Sequence, residues 1–135
     1  MDEGRKRISV VLDLSKAFDT VDHQILLSKL NRRGIRGEAL SWLSTYLISR
    51  RHNVSINGTS SHYLPLNIGV PQDSILGPIL FLLYTNDLVR VSWSLKFNLY
   101  ADDTIVSYSS NQPDKAHHVI NSELEELSKW LIHNL

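Results

Sequence analysis

Three aspartates stand at the ends of strand-like segments and are the residues best suited to chemistry. Asp13 directly follows an apolar, β-branched run, and Asp102 and Asp103 lie between two strand-like segments, 95–100 and 104–108. The pattern around the pair predicts a β-hairpin with an acidic tip. Carboxylates crowded at sheet ends repel one another unless a positive charge compensates them. The three acids therefore indicate a site for divalent cations in phosphoryl transfer.

Mg²⁺ fits such a site because it prefers oxygen ligands and takes one or two carboxylates, with water and substrate phosphate completing its shell. In two-metal sites the ions lie about 3.5–4 Å apart and act on the attacking and leaving oxygens. The protein then contributes position and charge rather than covalent chemistry. An isolated Asp-Asp pair between strands is more often a polar turn, so the pair alone leaves that alternative open.

Composition limits the class of protein. The 135 residues suffice for one domain with a real core but not for two. The chain has no cysteine, which excludes a disulfide scaffold and a thiolate metal site. No signal peptide is visible, so we expect an intracellular, non-secreted protein. The longest apolar stretch, 75–84, is too short for a membrane span of about 20 residues, so no membrane partner is expected.

The charge is unevenly spread although the net charge is zero. Residues 1–51 carry ten Lys and Arg against six Asp and Glu, whereas residues 52–135 carry four against eight. Basic clusters of this kind can follow a phosphate backbone. The alternative is a set of solvated helix ends, because Lys and Arg favour helix C-termini.

The periodicity of the chain predicts an α+β fold with a largely antiparallel sheet packed with helices. We expect residues 8–14 to form a strand buried on both faces. Asp22 or Thr20 should cap the first helix, and Asn57-Gly58 is a strong hairpin turn signal. The remaining predicted elements are a helix over 38–49, strands over 51–57 and 62–66, a helix over 75–89 and a last helix opening at 111–114.

Three blocks of sequence occur in an order and spacing that identify a family resemblance. They are Asp13 to His23, Gly69 to Leu88, and Tyr100-Ala101-Asp102-Asp103. Together they resemble the three catalytic motifs of the reverse transcriptase palm of non-LTR (LINE-like) retrotransposons, across nearly the whole chain. The resemblance implies that residues 1–135 are a partial reverse transcriptase domain, a palm without fingers and thumb.

The resemblance also implies site residues. Asp13, Asp102 and Asp103 would be catalytic and would surround two Mg²⁺ ions, with Asp13 and Asp102 favoured as the direct ligands and Mn²⁺ as a possible substitute for Mg²⁺. Phe18 resembles the aromatic residue that packs under the nucleotide sugar and excludes a 2′-hydroxyl, and its alternative is a plain core phenylalanine.

Further nucleotide and primer contacts are implied in the same way. Gln72 resembles a residue that contacts the incoming nucleotide or the template base, with an exposed loop glutamine as the alternative. Tyr100 is similar to the aromatic residue near the primer end, with hairpin packing as the alternative. Supporting roles in turns, caps and loop shape are expected for Asp19, Asp22, His23, Pro71, Gly77 and Pro78.

Asp73 departs from the family pattern, which usually has glycine at this position. Glycine there permits close backbone approach or a positive φ angle. Aspartate adds bulk and a negative charge in the predicted nucleotide-binding loop. Two unit charges about 5 Å apart, at an effective dielectric constant of about 20, repel by about 3 kcal/mol. The alternative is that Asp73 faces solvent and has little effect.

The implied partners are an RNA template, a DNA primer and deoxynucleoside triphosphates. We expect a truncated copy that is weakly active or inactive alone, because residues that would hold these substrates lie in flanking domains. Missing domains or an oligomer would then cover exposed apolar surface. The alternative is a non-catalytic remnant that binds nucleic acid or protein, for which salt-dependent binding would survive Asp102→Asn. A decayed reading frame without function is a third hypothesis.

Overall fold

The computed structural model describes residues 6–14, 16–100 and 103–134. The chain forms two compact units, which we call the sheet unit (Met1–Ala17 with Thr85–Leu135) and the helical unit (Phe18–Tyr84). In chain order the elements are β1 (Lys6–Asp13), α1 (His23–Arg32), α2 (Gly37–Ile48), β2 (Arg51–His52), β3 (Ser55–Ile56), β4 (Thr59–Ser60), β5 (Leu64–Pro65), α3 (Leu76–Thr85), a 3₁₀ turn (Leu88–Arg90), β6 (Lys96–Tyr100), β7 (Asp103–Ser110) and α4 (Pro113–Asn134). The strands named here pair in antiparallel fashion, which confirms the predicted α+β class.

The sheet unit contains a three-stranded sheet in the order β1-β7-β6. Alternate residues of these strands point to one face, where they pack with α4. The cluster consists of Leu95, Val106 and Ile120, with Ile8, Val10, Leu12, Phe97, Tyr108 and Leu124 against it. The opposite face carries the other residues of each strand, including the last residue of β1 and the first of β7.

The prediction that strand 8–14 is buried on both faces is wrong. Residues of β1 alternate between half-buried and exposed positions, and Val11 is 66% exposed. The continuous apolar run correctly predicts a strand. Its second face is exposed because α4 packs against the face that carries Val10 and Leu12.

Helix α1 begins after Asp22, one of the two predicted caps. The Asp22 carboxylate accepts hydrogen bonds from the amides of Gln24 (2.8 Å) and Ile25 (2.9 Å), which satisfies two donors of the first turn. At the other end Gly34 adopts φ +93°, and the Ile35 amide donates back to the Leu30 carbonyl at 3.1 Å. These bonds form a Schellman cap, in which glycine takes the left-handed position without strain.

A ribbon of four short strands, β2 to β5, follows α2. Asn57 (φ +49°) and Gly58 (φ +81°) both lie in the left-handed region, as a two-residue hairpin turn requires, so the turn prediction is confirmed. The predicted return strand 62–66 is replaced by two short strands. β4 pairs with β3, and β5 pairs with β2.

The helix predicted over 75–89 is shorter than expected. Helix α3 ends at Thr85, and a separate 3₁₀ turn follows at Leu88–Arg90. The break coincides with Asn86 and Asp87, whose short polar side chains compete with helical backbone bonds. Among the described helices none is both long and apolar enough to cross a membrane.

Candidate catalytic and nucleotide-binding residues

Strand pairing brings two of the predicted catalytic acids together at one end of the sheet. Asp13, the last residue of β1, is the register partner of Asp103, the first residue of β7. Asp103 is also the partner of Tyr100, the last residue of β6. The three residues form a row across three strands on the face opposite α4, and all three are exposed. Two distant motifs thus meet through backbone register.

The paired carboxylates suit a hard cation. Directly opposed residues of antiparallel strands have Cβ atoms about 4.5–5.5 Å apart, and like charges there are destabilising. Of the described residues, none forms an ion pair or hydrogen bond with the side chain of Asp13 or Asp103. Two exposed carboxylates with free oxygens are ligands of the kind that Mg²⁺ or Mn²⁺ takes, so these residues fit the predicted metal.

The third predicted acid, Asp102, and its neighbour Ala101 lie outside the described residues. Within 6–14, 16–100 and 103–134, no group of three or more His, Cys, Asp or Glu residues is placed to hold a metal ion. The described part of the predicted metal site is therefore the pair Asp13 and Asp103.

Phe18 lies in the core of the helical unit. Its side chain is 7% exposed and stacks on Phe81, with ring centroids 4.6 Å apart and an angle of 29° between the planes. This packing agrees with the core alternative, and the role under a nucleotide sugar stays a prediction. Tyr100, in contrast, is 82% exposed, so its ring takes little part in packing among the described residues.

The loop that carries Gln72 and Asp73 is held by one serine. The Ser74 hydroxyl donates to the Pro71 carbonyl at 2.8 Å and accepts from the Gly77 amide at 2.9 Å. It therefore closes the loop and caps the first turn of α3. Gln72 and Asp73 are both exposed on this loop.

The backbone at Asp73 does not need glycine. Among the described non-glycine residues, positive φ angles occur only at Lys16 and Asn57. Asp73 therefore has an ordinary φ angle, and backbone strain does not accompany the departure from the family pattern. What remains at this position is the added side chain and its charge.

Gly77 is fixed by close packing against the same loop. A Cβ atom at this position would lie 1.8 Å from the Pro71 carbonyl oxygen, and backbone cannot yield as a flexible side chain does. We expect Gly77→Ala to lower the free energy of unfolding by about 3 kcal/mol, at the upper end of overpacking costs. Urea denaturation measures the change.

Gly34→Ala is the matched control for Gly77→Ala. Gly34 has φ +93° but open space around its Cβ position, so alanine there adds backbone strain of about 1 kcal/mol and no clash. Equal destabilisation by the two substitutions would contradict the close-packing explanation.

One of the expected supporting residues, His23, is buried more deeply than its polar side chain predicts. His23 is 4% exposed, and its Nε2 lies 2.8 Å from the Gly69 carbonyl oxygen. The available signal was its place two residues before Ile25 and three before Leu26, at the start of an amphipathic helix. A polar residue there normally indicates a cap, and here Asp22 already supplies it.

The fold and these residues agree with the comparison to known families. Residues 1–134 match the reverse transcriptase (RNA-dependent DNA polymerase) family, and the chain belongs to it. Members of this family generally use divalent metal ions, a nucleic acid template and nucleotide substrates.

Similar curated proteins include RNA-directed DNA polymerases of non-LTR retrotransposons, which confirms the predicted group. The probable polymerase from transposon BS of Drosophila melanogaster is 33% identical over 90% of this chain. The polymerase from mobile element jockey of the same species is 28% identical over 96% of it. The Pol polyprotein of retrotransposable element R2 from Popillia japonica is 29% identical over 64%. The chain spans 14%, 15% and 14% of these relatives' lengths.

Proposed function

We propose that this chain is the palm core of a reverse transcriptase, which adds deoxynucleotides to a primer 3′-hydroxyl on an RNA template. The single observation that carries the proposal is the register pairing of Asp13 with Asp103, at the end of the sheet where β1 ends and β7 begins. The family match supports the reaction class. Because the chain spans a small share of its relatives, we propose weak or no activity for these 135 residues alone.

The carboxylates act by position and charge. Asp13 and Asp103, with Asp102 from the same motif, would hold two Mg²⁺ ions, and Mn²⁺ would substitute. When bound, the metal ions lower the pKa of the primer hydroxyl and stabilise the charge that develops on the transferred phosphoryl group. Asp13 and Asp103 would be held beside each other because both belong to paired strands of one sheet rather than to a loop.

Further nucleotide contacts are proposed from the family resemblance. Gln72 would contact the incoming nucleotide or the template base, since its amide can donate and accept. Phe18 would limit the space at the 2′-position of the sugar, and its stacking on Phe81 would hold the ring still. Tyr100 of the sheet unit would lie near the primer end. These roles follow from the family resemblance.

Binding of Mg²⁺ should stabilise the protein through Asp13. At a free Mg²⁺ concentration tenfold above its dissociation constant, we expect the folded state to gain about 1.4 kcal/mol. For a protein of this size the gain corresponds to a rise of about 4 °C in melting temperature. Thermal denaturation followed by circular dichroism, with and without Mg²⁺, measures it.

Asp13→Asn should abolish the Mg²⁺-dependent rise while slightly stabilising the metal-free protein, because one of two opposed charges is removed. Asp114→Asn is the matched control, since Asp114 lies in the first turn of α4, beyond the other end of β7. A rise that persists in Asp13→Asn would show that Mg²⁺ binds elsewhere and would contradict the proposed metal site.

A further inference from the structure

We propose that His23 is a positioning residue for the nucleotide-binding loop. The imidazole is buried, and its Nε2 lies 2.8 Å from the Gly69 carbonyl oxygen. A carbonyl oxygen can only accept a hydrogen bond, so Nε2 carries the proton and donates it. His23 thereby joins the start of α1 directly to Gly69, the first residue of the second block that resembles a family motif.

The same two segments are joined by backbone contacts, and we call residues 18–23 with residues 68–70 the clasp. The Gly69 amide donates to the Val21 carbonyl at 2.8 Å, and the Val70 amide donates to the Phe18 carbonyl at 2.7 Å. Asp22 and Ile68 form an antiparallel bridge. His23 joins the two segments through its side chain, so this bond can be removed by substitution.

Gly69 fits closely in the clasp, and its backbone conformation favours glycine. Its φ is +86°, and a Cβ atom there would lie 3.0 Å from the Asp19 carbonyl oxygen and 3.1 Å from the Asp19 Cα. The left-handed backbone at Gly69 directs its amide to Val21 and its carbonyl to His23. The clasp thus ties both the amide and the carbonyl of Gly69 to residues of the first block, Asp13 to His23.

Each segment of the clasp is connected to a predicted nucleotide contact. Phe18 begins one segment, and the other runs directly into the loop that Ser74 closes around Gln72. A change in the position of the Gly69 carbonyl would therefore shift Gln72 relative to Phe18. Both residues belong to the helical unit. Small displacements of substrate-contacting groups cost large factors in binding and rate. The inference rests on the proposed function, because it assigns a purpose to the same nucleotide contacts.

The test compares wild type with His23→Phe and His23→Gln in the whole chain. Phenylalanine fills the space without a donor, whereas the Gln Nε2 can restore a donor near the same point. We expect His23→Phe to raise the dissociation constant for deoxythymidine triphosphate with Mg²⁺ about tenfold, measured by calorimetry. His23→Gln should recover most of the affinity.

Amide hydrogen exchange gives a second readout that locates the effect. In His23→Phe we expect faster exchange at Gly69 and Val70 than at the α1 amides of Leu26 and Leu30, because the clasp opens locally. Leu47→Ala is the control for general destabilisation, since Leu47 is fully buried in α2 and outside the clasp. It should lower stability without changing the nucleotide affinity of the folded protein.

The outcomes separate the inference from the proposed function. If wild type binds deoxythymidine triphosphate and His23→Phe binds it equally well, the positioning role is wrong and the proposed function stands. If Leu47→Ala weakens binding as much as His23→Phe at a temperature where both are folded, the effect is general and the inference again fails. If wild type binds no nucleotide, the proposed nucleotide site itself is contradicted.

Discussion

Asp13→Asn is expected to lower any primer extension that the chain supports by about a thousandfold, and therefore to the level of the Asp102→Asn blank if the wild-type rate is weak. The substitution keeps the size of the side chain and removes the negative charge, so it weakens the metal site that we propose at the end of β1. Loss of one charged or hydrogen-bonding group from a preorganised site commonly costs a factor of about 10²–10³. Asp103→Asn, at the paired position on β7, should cause a loss of the same order. Extension of a DNA primer on an RNA template with Mg²⁺ measures both.

An aspartate beyond the opposite end of β7, Asp114, provides the control substitution for this loss. Asp114→Asn makes the same chemical change after β7 has ended, about 20 Å or more from Asp103 along the strand. It should leave extension unchanged, and Asp102→Asn serves as the blank. Extension by Asp13→Asn at the wild-type rate would contradict the catalytic assignment. If every form is inactive but binds primer–template with a salt slope, the non-catalytic remnant becomes the better hypothesis.

Local signals predicted those parts of the fold that neighbouring residues determine. Asp22 accepts the two amides that a helix cap should satisfy, and Asn57-Gly58 turns with both φ angles positive. The row of Asp13, Asp103 and Tyr100 could also be foreseen in outline, because each residue ends or begins a strand-like segment. Strand ends, caps and turns depend on a few adjacent residues, and sequence patterns describe those directly.

Burial and long-range contacts were harder to predict. The apolar run of β1 suggested two covered faces, yet Val11 is exposed because burial depends on which elements pack nearby. The bond from His23 to Gly69 joins residues 46 positions apart, and no local pattern encodes such a pair. The backbone angle at Asp73 is likewise a property of the folded loop that Ser74 closes. The family resemblance indicated that His23, Gly69 and Asp73 belong to the motifs, but it did not predict which residues they contact.

These contacts change how the departure at Asp73 should be understood. From sequence, glycine at this position has two possible purposes, a positive φ angle or the absence of a bulky charge. The structure removes the first, since Asp73 has an ordinary φ angle. Any defect caused by Asp73 must then come from the exposed carboxylate. Charge and conformation can therefore be separated by experiment.

Asp73→Asn and Asp73→Gly are expected to tighten binding of deoxythymidine triphosphate equally, by about a hundredfold. Both remove a charge that would repel a triphosphate about 5 Å away by about 3 kcal/mol, and this energy corresponds to a factor of about a hundred in affinity. Calorimetry with Mg²⁺ measures the gain, which should shrink as salt is added because screening weakens the repulsion. Improvement by Asp73→Gly alone would mean that backbone freedom or side-chain bulk matters after all. No improvement in either variant would mean that the carboxylate faces solvent, away from the nucleotide, and that low activity has another cause.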